Sequence, residues 1–213
     1  MGHLRHLLEY NDVNGIRALV QALWASRQKH GSFTSADADD AVWFLQRTAD
    51  NPGMQAEFWP RFLGLLTRWA FTMTRGSISG PPGTPGGAAA LAPLQQWLAG
   101  FLESHEVPWI VHAPALLLLA VLSMRLEALE GPMQQQQQQQ QGPSPQVAVH
   151  RALSAALAPQ RPPAPDLLQH SGAAVTDLCA AAELVLERLA VGGDPLQFAE
   201  LLGALMATLS AAV

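Results

Sequence analysis

The residues whose types and spacing could do chemistry are two histidine groupings, one cysteine and one acidic cluster. His3 and His6 stand three residues apart, with Glu9 three further on. On a helix that spacing offers two imidazoles and a carboxylate to a transition metal. A frayed polar terminus accounts for the same residues with no ligand. The stretch "HEVPWIVH", residues 105–112, begins like the zinc-protease signature H-E-x-x-H. That chemistry needs the second His one helical turn after the first. Here it comes seven residues later, with Pro108 between. His105, Glu106 and His112 are thus the first residues to consider for an enzyme, yet they meet no catalytic pattern. Cys179 is the only cysteine and lies in an apolar stripe with no Lys, Arg or His close in sequence to stabilise a thiolate. It reads as a buried, inert thiol. Asp37, Asp39 and Asp40 resemble part of a Ca²⁺ loop but lack its Gly and closing Glu. Their simpler role is to favour the positive end of a helix.

A fifth stretch, "GPPGTPGG" at residues 80–87, looks like a phosphate loop. "GPPGT" is similar to the opening of that loop in AAA-type ATPases. The pattern then fails: Pro85 takes the place of the second Gly, Gly86 that of the Lys and Gly87 that of the Ser/Thr. Proline removes an N–H where phosphate needs a donor. The preceding "FLGLLTRWAFTM" has helical periodicity, where a phosphate loop must follow a buried strand. A Gly/Pro linker is the expected reading, and no cofactor and no metal are expected anywhere in the chain.

The elements that would position any of these groups are helices. No segment alternates apolar and polar residues, whereas helical spacing recurs throughout. Asp12 suits an N-cap ahead of Ile16, Leu19, Val20, Leu23 and Trp24, with Gly31 as a stop. Thr34 or Ser35 starts a second helix bearing Ala38, Ala41, Val42, Leu45 and Ala49, which "NPG" at residues 51–53 ends. Pro60 suits the first turn of a third, with Phe62, Leu63, Leu66, Trp69 and Met73. Leu91, Leu94, Leu98, Phe101 and Leu102 mark a fourth. Pro114 opens a fifth that runs through the leucines and ends before Gly131 and Pro132. Eight glutamines, residues 134–141, then form a low-complexity loop. Residues 147–158 make a short Ala/Leu helix; Val175, Leu178, Cys179, Ala182, Leu186 and Leu189 line the next, and Asp194 and Pro195 open the last.

The expected fold is therefore all-α: about eight helices in antiparallel pairs, forming a short α-solenoid or an irregular helical bundle. The expected divisions are an N-terminal helical unit at 1–75, a Gly/Pro linker at 76–88, a central helical hairpin at 89–131, a polyglutamine/Pro linker at 132–146 and C-terminal Ala/Leu-rich helices at 147–213. Pairing the helix starts gives units of about 50 residues, so the spacing resembles HEAT and armadillo repeats. The phrase "QALWASRQKHG", residues 21–31, is similar to the "LWALAKLG" phrase of octotricopeptide RNA-binding repeats. That resemblance covers one hairpin and implies phosphate contacts from Arg17, Arg27, Lys29, Arg47, Arg61 and Arg68.

Charge argues against nucleic acid. The chain carries 12 Lys and Arg against 17 Asp and Glu, and none of the basic residues falls between Arg75 and Arg125. A nucleic-acid binder needs a basic stripe. The uncharged run at residues 107–124 raises a membrane question, but Pro108, His112 and Pro114 break its first half, so a buried helix is expected. The start "MGHLRHLLEY" lacks the apolar core of a secretory signal and the lone cysteine fits a reducing compartment, so an intracellular location is expected, the cytoplasm first and an organelle as the alternative.

Only 14% of the residues are charged, against about 25% in a typical domain. Residues 195–213 hold a single charge, Glu200. Such a helix is either central or covered by a partner, a second copy or further helices of a longer chain. Leu202, Leu205, Met206 and Leu209 are its candidate contacts. The function expected is that of a non-catalytic scaffold or adaptor binding another protein; the alternative is a helical-repeat RNA-binding protein.

Overall fold

The computed structural model describes residues 3–30, 35–72, 87–104, 108–138, 151, 172–192, 199–200, 202–203 and 206–207. Seven helices are defined among them, and no strand. They are α1 (His3–Glu9), α2 (Val13–His30), α3 (Ser35–Arg47), α4 (Pro52–Thr72), α5 (Gly87–Ser104), α6 (Trp109–Gln138) and α7 (Gly172–Gly192). The chain divides into two compact units, Met1–Thr72 and Met73–Val213.

In the first unit, α1 occupies the stretch whose polarity suggests fraying. Leu4 and Leu7 are the reason it folds: both are buried, and the helix packs on α2 and α3. The turn into α2 is tight. Asn11 takes a left-handed conformation, with φ of 50°, that Asn tolerates better than most residues. The Asp12 amide donates to the Leu7 carbonyl at 2.8 Å, and Asp12 Oδ1 accepts the Gly15 amide at 2.9 Å as the N-cap. A Cβ at Gly15 would stand 2.5 Å from Leu7 Cδ2 and would also meet the Asp12 carboxylate, so any larger residue here forces the buried Leu7 and the capping Asp12 side chains to shift.

Helix α4 begins eight residues before the expected start. Asn51 is its N-cap, accepting the Met54 amide on Oδ1 at 3.1 Å, and Pro52 is its first residue, where the missing N–H costs nothing. The Asn-Pro-Gly triplet thus starts a helix as well as separating two, and Pro60 lies inside it. Phe44 on α3 packs edge-on to Phe58 at 5.9 Å and tilted against Phe62 at 4.8 Å. Trp59, fully buried, donates from Nε1 to Thr48 Oγ1 at 2.9 Å, and that hydroxyl donates to the Phe44 carbonyl at 2.7 Å. The Gln55 side-chain amide donates to the Ala49 carbonyl. Polar groups inside the α3–α4 corner are thereby satisfied, which their burial demands.

The second unit is built around α6. Residues 111–116 and 118–123 are buried, so this helix is covered on more than one face, and α5 and α7 pack on it. A helix apolar all round belongs inside. It starts at Trp109, five residues before the expected start, because the Pro108 carbonyl accepts the Val111 and His112 amides, both at 2.9 Å. Pro114 falls within the helix and does not open it. The helix continues past Gly131 and Pro132 to Gln138, so five of the eight glutamines expected in a loop are helical. Helix α5 likewise starts at Gly87, inside the stretch expected as a linker, and holds Pro93 in its interior. Gln95 and Ser123, both buried, join α5 to α6: Gln95 Nε2 donates to Ser123 Oγ at 2.6 Å, and Ser123 Oγ donates to the Leu119 carbonyl at 2.9 Å. The short helix expected at 147–158 lies outside the described residues except for helical Arg151, whose guanidinium pairs with Glu103 at 3.8 Å.

Candidate functional site

The described residues that could do chemistry fall on different helices. His3, His6 and Glu9 are exposed on α1, whereas Leu4 and Leu7 are buried. The His6 ring lies 4.5 Å from the Tyr10 ring. His105 and Glu106 fall outside the described residues. His112 is buried in α6, edge-on to Trp109 with ring centroids 5.4 Å apart. Asp37 stands in the first turn of α3, as its helix-end role requires. Residues 73–86 lie outside the described residues; the last described element before them is α4, a helix. Cys179 is half-buried and carries a free thiol. Two residues before it, burial pushes the Asp177 carboxyl above the usual carboxylate range. Among the described residues no three His, Cys, Asp or Glu side chains gather closely enough to hold a metal ion.

The six cations considered for phosphate contact are distributed over α2, α3 and α4. Two are engaged between helices. Arg17 on α2 donates from Nε to Glu57 Oε1 on α4 at 2.7 Å and from Nη1 to Asn14 Oδ1 at 2.8 Å. Arg68 on α4 lies over the Trp24 ring of α2 at 4.5 Å, and Trp24 also covers Gly64, where a Cβ would sit 3.6 Å from the ring. A third such contact sets Arg5 of α1 over Trp43 of α3 at 5.0 Å. Sequence periodicity missed all three pairings, since each joins residues far apart in the chain.

The C-terminal segment presents the largest side chains of the candidate site to solvent. Leu202 is 39% exposed and Met206 57% exposed, and both are helical, one turn apart. Ala199, Glu200, Gly203 and Ala207 are also exposed and helical, so the described residues here share one solvent-facing, nearly uncharged stripe. A Cβ at Gly203 would meet nothing within 4 Å. Leu205 and Leu209, the other two candidate contacts, lie outside the described residues. Tyr10 and Phe71 are the other large exposed hydrophobic residues among those described. Such a face can bury apolar area against another surface.

Comparison with protein-family models, curated proteins and solved structures finds no match to this chain. Among the described residues, no helix is long and apolar enough to cross a membrane.

Proposed function

We propose that this chain is a non-catalytic helical scaffold or adaptor that binds another protein. The observation that carries this reading is the exposed Leu202 and Met206 pair on a stripe whose only charge is Glu200. Scattered exposed hydrophobics are ordinary, but a Leu and a Met stacked one turn apart beside open Gly203 form a face that a partner helix can approach closely. Covering both side chains would contribute roughly 1–3 kcal/mol to a complex.

The packing of the first unit supports a short solenoid within this reading. Helix α1 packs on α2 and α3 on α4, while α1 also meets α3 and α2 meets α4. Two stacked helical-repeat units have the same pattern, each helix contacting its counterpart in the next hairpin.

The test is affinity capture followed by quantitative identification of bound proteins, comparing wild type with Leu202→Asp/Met206→Asp and with a chain lacking residues 194–213. Circular dichroism establishes that each variant is folded. Loss of the same partner from both variants is the expected result. Unchanged recovery of every partner by the folded double variant rejects this surface. Titration with single-stranded RNA at two salt concentrations separates the scaffold from an RNA binder, because phosphate contacts strengthen as salt falls.

A further inference from the structure

We draw no further inference here: the strongest candidate, the exposed stripe of Leu202, Gly203 and Met206 in the C-terminal segment of the second unit, belongs to the surface already described, and nothing in the structure shows what covers it.

Discussion

Ser123→Ala should destabilise the second unit more than its single lost oxygen suggests. Ser123 Oγ accepts from Gln95 Nε2 at 2.6 Å and donates to the Leu119 carbonyl at 2.9 Å, and both side chains are only 5% exposed. Removing the hydroxyl deprives a buried amide of that acceptor. Such a loss costs about 1–3 kcal/mol, whereas an intact buried hydrogen bond contributes only about 0.5–1.5 kcal/mol net. Gln95→Leu should cost less, because Ser123 keeps its bond to Leu119 when the amide is gone. The double variant Gln95→Leu/Ser123→Ala should lie closer to wild type than Ser123→Ala does, since both partners are replaced by apolar groups. Urea unfolding read by circular dichroism gives the three stabilities. With a slope of about 1–3 kcal/mol per molar, a loss of 2 kcal/mol lowers the midpoint by roughly 1 M. Amide exchange along α6 assigns the loss to the second unit. If the two single effects simply add in the double variant, the side chains do not share a bond and the α5–α6 contact is apolar only.

Four further outcomes are expected. Gly15→Ala should destabilise the first unit by about 1–3 kcal/mol despite alanine's better helix propensity, because the new methyl meets Leu7 and Asp12; Gly64→Ala should be neutral or gain up to about 1 kcal/mol, and thermal melts of the two variants compare them. Arg68→Ala should cost about 0.5–1 kcal/mol with Trp24 present and nothing further once Trp24 is replaced, a coupling read by a double-mutant cycle. Thr48→Val should cost about 1–3 kcal/mol in urea melts, because the Trp59 indole N–H loses its hydroxyl acceptor. Asp177 supplies the pH dependence: its folded carboxyl holds a proton at higher pH than the ordinary 3.8, so its ionisation costs stability. Stability should rise as pH falls through the raised value towards 3.8, and Asp177→Asn should remove that rise and leave the protein more stable than wild type at neutral pH. A difference curve of melting temperature against pH that is flat over this window overturns the assignment.

Helical class was legible because apolar residues recur at helical spacing along the whole chain. Ile16 and Val20, Ala41 and Leu45, Leu63 and Leu66, and Leu94 and Leu98 are all buried as the periodicity implies. Helix starts were harder, since the same residues punctuate both ends. Asn51 and Pro52 read as a stop because Gly53 follows, but the Asn51 side chain caps the helix that follows it. Pro114 read as a start because proline favours first turns, yet five earlier residues of α6 are already helical. Helix α1 was hidden by its histidines, although Leu4 and Leu7 carried the signal. At the candidate surface, periodicity selected Leu202 and Met206, but a Leu/Met stripe has the same spacing whether buried or exposed. Only the packing of the other helices decides which, and that depends on contacts distant in sequence.

The position of α6 inside the second unit has a consequence for how the protein is made. Its buried stretch ends at Ser123, yet α7, one of the helices that cover it, is complete only at Gly192. A ribosome adding about 5–20 residues per second needs roughly 3–14 s for that interval. Throughout it, Leu116, Leu118, Leu119, Val121 and Leu122 lack one wall of the core they will occupy. The nascent chain therefore displays the leucine run of α6 before the means to enclose it is complete, and yield in the cell should depend on how well holding chaperones shield that run until α7 emerges.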